Sequence, residues 1–334
     1  ALAGSVSGLS ELQFLLLSGN QILDCGATAL SQGLSSVLKL QQLDLQCNRI
    51  GQDGWNAIID RLPLCTQLSI LNSCRACSLL LAGDCKDLDL SGYEMGFAAT
   101  KFLSRSSSTL KSLDLRKSGL GVEEWSALGE SLKSCVCLAE ILDFGWSKSV
   151  LAHGVTSMDL DKRDIGDLEA VVISALLPRA ASTLSVLQLC NNNISDDGAM
   201  YLCQSIKLLT ELIFLDLSNN RIHDAGANWI AVSLTHLPCL QKLDLANNWI
   251  GDPGTEAISG SLRTLTRLQT ISLSRNQITD CGATALASIL HLLINLEKLD
   301  LKLNRIGPEG WSTLLDVLSL CSNLMSLNDC GSYA

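Results

Sequence analysis

Clustered cations, long apolar runs and aromatic side chains are all scarce in this chain of 334 residues. The formal net charge is −10 and no stretch is rich in Lys and Arg. That disfavours nucleic acid or an anionic membrane surface as the main partner, because both demand grouped positive charge. No apolar run has the length needed to cross a bilayer, and no cationic lead followed by an apolar segment and cleavage site opens the chain. The expectation is a soluble protein with no membrane insertion. Recognisable chemistry is missing as well: there is no nucleophile elbow, phosphate-binding Gly-Lys-Ser/Thr loop, dinucleotide fingerprint or His-Glu-x-x-His helix. The four histidines, His153, His223, His236 and His291, lie near no recurring carboxylate or cysteine signature. These gaps lead to the expectation of a non-enzymatic protein with no cofactor and no metal.

Against those absences, 47% of the residues are hydrophobic while only 4% are aromatic and 17% charged. Such a balance suits a core of Leu, Ile, Val, Ala and Cys stacked in layers. Fourteen cysteines could suggest a secreted disulfide scaffold, but that logic belongs to small domains without a core. Cys25 and Cys281 fall at equivalent positions of an internal repeat, as do Cys65, Cys135 and Cys321, and also Cys74 and Cys330. Recurrence of this kind reads as small buried apolar residues with reduced thiols, hence an intracellular, cytoplasmic location. Cys74-x-x-Cys77 with Cys85 beyond could hold a metal, but lacks a fourth ligand. Core packing is the alternative. One Asn-x-Ser sequon, Asn193 to Ser195, is weak evidence for a secreted location, because Asn recurs around it for structural reasons.

The repeat is clearest from Leu240 to Gly254, Leu-Gln-Lys-Leu-Asp-Leu-Ala-Asn-Asn-Trp-Ile-Gly-Asp-Pro-Gly. Copies begin at Leu12, Leu40, Leu68, Cys85, Leu110, Leu138, Val155, Leu184, Leu212, Leu240, Leu268, Leu296 and Leu324, which predicts thirteen strands in one array over 1–334. Spacings are 28, 28, 17, 25, 28, 17, 29 and then five of 28 residues. The two short repeats, 68–84 and 138–154, leave no room for a full helix. Alternation in Leu-x-Leu turns both leucines inward. Asn20, Asn48, Asn192, Asn220, Asn248, Asn276 and Asn304 should form a ladder in the turn after the strand, satisfying backbone groups left open by the bend. Asp24, Asp196, Asp224, Asp252 and Asp280 sit where each helix should start, suited to cap its amides. Pro253 and Pro308 follow as first-turn prolines. Both ends stop inside repeats without polar caps, so a fragment of a longer protein, or ends covered by a partner, is expected.

The unit Leu-x-x-Leu-x-Leu-x-x-Asn-x-Ile, as in Leu212 to Ile222 and Leu296 to Ile306, resembles the ribonuclease-inhibitor-like subfamily of leucine-rich repeats. The resemblance covers essentially the whole chain. It implies an α/β solenoid with a parallel β-sheet on a concave face and helices on the convex face. It extends to the repeat regions of NOD-like receptors and to Ran GTPase-activating proteins.

Two groups stand out as candidate partner-binding residues. Asp44, Asp89, Asp114, Asp159, Asp216, Asp244 and Asp300 occupy the middle position of Leu-x-Leu and should line the concave face. A column of carboxylates gains from a basic or polar partner, although Leu-Asp-Leu is also simply common in this family. Trp55, Trp125 and Trp311 replace Ala at a helix start and read as core. Trp249 differs, because Gln21, Arg49, Asn193, Arg221, Gln277 and Arg305 hold its slot elsewhere, so an exposed binding anchor is expected.

The leading expectation is a protein-interaction scaffold, the ligand-recognising segment of a larger intracellular protein, or a subunit of an assembly. Ribonuclease inhibition, with a basic enzyme as partner, is one alternative. Activation of a small GTPase is another, with Arg49, Arg221 or Arg305 in the kind of loop corner that could reach phosphate.

Overall fold

The computed structural model describes residues 8–65 and 155–318, with 6, 67–68, 70–71, 87–89, 103, 110–114, 122–132, 135, 140–141, 321 and 323–328 in addition. Two compact units divide the chain, Ala1–Leu151 and Ala152–Ala334. All thirteen strands begin two residues after the repeat starts read from the sequence. The short repeats 68–84 and 138–154 lie largely, and Cys74, Cys77, Cys85 and Cys330 wholly, outside the described residues.

Among the described residues, the first unit holds two parallel sheets of three strands, β1 (Phe14–Leu16), β2 (Gln42–Asp44) and β3 (Ile70–Leu71), then β4 (Asp87–Asp89), β5 (Ser112–Asp114) and β6 (Glu140–Ile141). Its described helices are α1 (Asp24–Leu34), α2 (Gln52–Arg61) and α3 (Val122–Leu132). The second unit is one parallel sheet of seven strands in sequence order: β7 (Ser157–Asp159), β8 (Val186–Gln188), β9 (Phe214–Asp216), β10 (Lys242–Asp244), β11 (Thr270–Ser272), β12 (Lys298–Asp300) and β13 (Ser326–Leu327). Between them run α4 (Asp167–Leu176), α5 (Asp196–Ile206), α6 (Asp224–Leu234), α7 (Asp252–Leu262), α8 (Asp280–Leu290) and α9 (Pro308–Leu318).

In-register pairing makes each repeat position a ladder. Leu187, Leu215, Leu243, Ile271 and Leu299 face one another across successive strands, each at most 1% exposed. The helices add their own stripe at helical spacing, such as Ala227, Ile230 and Leu234 on α6, all buried. Beyond each strand the chain must reverse, and residues such as Asn191, Asn219 and Asn247 adopt left-handed backbone angles with φ of 52–54°. Asn tolerates that region better than most residues.

The asparagine ladder forms as expected. Asn248 Nδ2 donates to Leu245 O and Ala246 O in its own repeat and to Leu217 O of the preceding one, at 3.0–3.3 Å, while its Oδ1 accepts from Ile222 N–H at 3.1 Å. One buried amide thus satisfies four backbone groups of two repeats. Asn48, Asn192, Asn220, Asn276 and Asn304 repeat the arrangement.

The helix-start aspartates cap differently from the expectation. Each is the first helical residue rather than the cap of its own helix, and its carboxylate reaches the helix of the next repeat. Asp196 Oδ1 accepts from His223 and Gly226 N–H, Asp224 from Gly251 and Gly254, Asp252 from Thr279 and Gly282, and Asp280 from Gly307 and Gly310, at 2.6–3.0 Å. The physical reason is stacking: the neighbouring helix presents two unpaired amides just where the carboxylate projects. This also explains the repeated glycine. A Cβ on Gly254 would stand 2.7 Å from Asp224 Oδ1 and 2.9 Å from both Ala227 Cβ and Ile250 Cγ2.

The cysteine expectation holds for Cys65 and Cys135, which are buried, and Cys321 is half-buried, but Cys25 and Cys281 are exposed. Both occupy the second position of a helix, off the stripe formed by Ala27, Leu30 and Leu34 and its counterpart on α8. Trp55 and Trp125 are core, at 4% and 5% exposure, whereas Trp311 is only half-buried.

Candidate functional site

Trp249 lies in the turn between β10 and α7, with its backbone fixed by donation to Ile222 O at 2.8 Å. Its flanking residues Asn248 and Ile250 point inward and are buried, so alternation forces the indole outward, where it is 53% exposed. The ring is not loose. It stacks on His223 of the preceding repeat, with centroids 5.9 Å apart and an interplanar angle of 17°. His223 stands at the start of α6, its N–H held by Asp196 Oδ1 at 2.7 Å and its Nδ1 3.8 Å from Asp196 Oδ2. Asp196, His223 and Trp249 therefore form a chain across three repeats, each holding the next.

His223 escaped the sequence reading. Its slot is Leu23, Gly51, Ser195, Gly251, Thr279 and Gly307 elsewhere, so the comparison that singled out Trp249 would have found it. Arg221 and Arg305 share the Trp249 row and are exposed, with backbones bonded to Ile194 O and Ile278 O at 2.8 Å. Arg275, another residue passed over, projects from the left-handed position two residues before that row in the intervening repeat.

The acidic column is largely drawn into the turns. Asp44, Asp159, Asp216, Asp244 and Asp300 each accept, through Oδ1, from the N–H two residues on, at 2.9–3.0 Å. A short carboxylate closing such a turn supplies the acceptor that the bend requires. Asp114 and Asp216 are only 5% and 8% exposed; Asp159 is the exposed member. Asp89 contributes backbone to β4, and its side chain lies outside the described residues. Nor is the column continuous, since in the second unit Gln188 and Ser272 interrupt it and leave Asp216 and Asp244 in register, while in the first unit Asp89 pairs with Asp114. Burial, together with the Asp216 and Asp300 charges, pushes the Asp244 carboxyl up to about 6, against hydrogen bonds from Ala246 N–H and Ser272.

Other chemistry is sparse. Burial pushes the Cys203 thiol up to about 12, and burial with the Asp216 and Asp161 charges does the same at Cys190, so neither is a ready nucleophile. Among the described residues, no group of three or more His, Cys, Asp or Glu is placed to hold a metal. No described helix is long and apolar enough to cross a membrane.

Two sequence profiles match. A leucine-rich repeat profile of two copies covers residues 210–259, and a single leucine-rich repeat profile covers 38–58, 180–203, 264–287 and 293–315. No curated protein matches the chain. Similar solved structures include an internalin from Listeria monocytogenes (17% identity, 98% of this chain and 89% of that one, TM-score 0.32). A leucine-rich repeat protein of Leptospira interrogans is another (19% identity, 95% and 85%, TM-score 0.38). The Arabidopsis receptor kinase HAESA, solved with the peptide hormone IDA and the co-receptor SERK1, is a third (17% identity, 93% and 62%, TM-score 0.32). The repeats are leucine-rich repeats, and with the parallel strands and alternating helices they define an α/β leucine-rich-repeat solenoid.

Proposed function

We propose that this chain is a non-enzymatic protein-interaction scaffold, the ligand-recognition segment of a larger intracellular protein, and that its partner docks on the turn edge around Trp249. Leucine-rich repeats generally mediate protein–protein contact, which supports the class. The observation that carries the finer reading is an indole 53% exposed and already held against His223. An aromatic anchor with its rotamer fixed in advance loses little freedom on binding, which is how a few residues come to dominate an interface. A single array over 1–334 and a polar partner surface belong to the same proposal. A basic partner would have to compete with backbone amides for carboxylates that already close turns. No observation raises ribonuclease inhibition or GTPase activation above this reading.

The test is differential capture. Parent and Trp249→Ala chains are immobilised side by side and exposed to native extract at several salt concentrations. Proteins retained by the parent and lost with the variant, at equal melting temperature, support the proposal. Identical retention by both chains would remove Trp249 from the interface, and a large stability loss in the variant would make it a core residue instead.

A further inference from the structure

The turn edge of the last four full repeats has an unusual charge pattern for so acidic a chain. Three positions per repeat lie along it, each exposed or half-buried. They are Asn219, Arg221 and His223, then Asn247, Trp249 and Gly251, then Arg275, Gln277 and Thr279, then Leu303, Arg305 and Gly307. None of these twelve carries a carboxylate, and three carry guanidinium groups, although the whole chain has 34 acidic residues against 24 basic ones. In the preceding repeat pair the same edge does carry acid, at Asp164, so the carboxylate-free window is bounded on that side. The aspartates behind the window, Asp196, Asp224, Asp252 and Asp280, spend their Oδ1 atoms on the amides of neighbouring helices. Arg221, Arg275 and Arg305 are exposed, and among the described residues none of them takes part in an ion pair. Three exposed arginines without an ion pair, flanking an exposed indole, leave guanidinium donors open to carboxylates of a partner.

We infer that this edge, Arg221, Trp249, Arg275 and Arg305 with His223 beneath the indole, is the docking surface for an acidic peptide segment carrying an apolar residue. The inference rests on the protein-interaction reading above and names the partner's chemistry. Guanidinium groups favour carboxylates through paired, planar hydrogen bonds. The Trp249–His223 stack offers an apolar platform between the first two of them, and Leu303, 67% exposed, adds apolar surface two residues before Arg305. Adjacent strands lie about 4.8 Å apart, so Arg221 and Arg305, three repeats from one another, span roughly 14 Å at the sheet spacing. An extended peptide rises about 3.3 Å per residue and covers that distance in about four residues. The matching sequence therefore has two acidic residues about four positions apart with the apolar residue between them. A nucleic acid is a poorer fit: its affinity grows with the number of phosphates neutralised, and this window holds three arginines in a chain of net charge −10.

The test is affinity selection of random displayed peptides about twelve residues long, ample for the span, on the immobilised full chain. Parallel selections use Arg221→Glu/Arg275→Glu/Arg305→Glu, the Arg221→Glu and Arg305→Glu single variants, and Trp249→Ala. The expected parent pool is net acidic with a Leu or aromatic residue between the acids. Its best peptide should bind the triple variant roughly 30-fold more weakly, because reversal both removes the exposed ion pairs and sets like charges against the acids of the peptide, and the single variants should show intermediate losses. A labelled single-stranded oligonucleotide of similar charge should fail to displace it. A basic or neutral pool, acidic binding that survives charge reversal in folded variants, or displacement by the oligonucleotide would each overturn the inference. If the pool is not acidic but is lost with Trp249→Ala, the interaction surface stands and only the partner chemistry is wrong. If Trp249→Ala changes nothing, the interaction surface itself is misplaced.

Discussion

Replacing Asp252 by Ala tests whether the repeats are fastened together by carboxylates that cap the helix of the next repeat. Asp252 Oδ1 accepts from Thr279 N–H at 2.8 Å and Gly282 N–H at 2.9 Å, and Oδ2 accepts from the Thr279 hydroxyl at 2.5 Å. Desolvation pushes this carboxyl up, but those three donors together outweigh it and hold the group below its usual value of 3.8. Removing the side chain leaves two amides at the start of α8 without a partner. Loss of a helix cap costs about 0.5–2 kcal/mol, and lost bonds to a charged group add to that where water cannot replace them. The site is half-buried, so water recovers part of the loss and the expected cost is about 2 kcal/mol. For a unit of this size that lowers the melting temperature by roughly 4–8 °C. The contribution of a depressed carboxyl is fully present above its unfolded value and is lost as pH falls through the folded one. The gap between parent and variant should therefore be widest near neutrality and shrink in strong acid. Urea melts measure the stability, and hydrogen exchange should show protection lost first at Thr279 and Gly282 of the following repeat. Glu211→Ala, in an exposed turn, serves as the control. A cost no larger than the control's, or exchange confined to α7, would refute the account of how the repeats are joined.

Two further predictions concern residues whose roles the ladder decides. Within α7, Gly260→Ala should stabilise by about 0.5–1 kcal/mol, because Ala is the better helix former and an added Cβ meets nothing within 4 Å. Gly254→Ala, in the same helix, should destabilise by more than that gain, because its Cβ would fall 2.7 Å from Asp224 Oδ1; denaturant midpoints of the two variants should move in opposite directions. Asp244→Asn keeps the Oδ1 acceptor for Ala246 N–H and removes a charge whose folded value is pushed from 3.8 up to about 6. A raised carboxyl is a penalty absent below the unfolded value and complete above the folded one, so the variant should match the parent near pH 3.5 and exceed it at pH 8. A difference that does not change with pH would contradict the burial of that carboxyl.

The strands were legible because Leu-x-x-Leu-x-Leu recurs with fixed spacing, and in-register stacking converts that spacing directly into pairing, as Leu215, Leu243 and Ile271 show. The Asn248 ladder was legible for the same reason. Aspartate capping was half legible. Sequence position placed Asp224 at a helix start, but only stacking reveals that its oxygens point at the neighbour's amides rather than its own. The glycine at 254 then follows from that neighbour, a constraint no single repeat contains. Burial of Cys25 and Cys281 was misjudged because equivalence between repeats says that two residues share a surroundings, not whether that surroundings is dry. At the candidate site, comparison among siblings exposed Trp249. His223 and Arg275 were passed over because they occupy other slots of the turn, and nothing in the linear order brings His223 beneath the indole.

Two exposed tryptophans give the most direct test of the central claim. Trp249 lies on the turn edge at 53% exposure and Trp229 on α6 at 43%, so both can be cut to Ala with little cost to the core. Isothermal titration of a partner recovered by differential capture should show Trp249→Ala binding at least about 30-fold more weakly, as expected for an anchor contributing about 2 kcal/mol or more. Trp229→Ala should bind like the parent. Undiminished binding by Trp249→Ala, with the loss falling on Trp229→Ala instead, would place recognition on the helices and contradict the account.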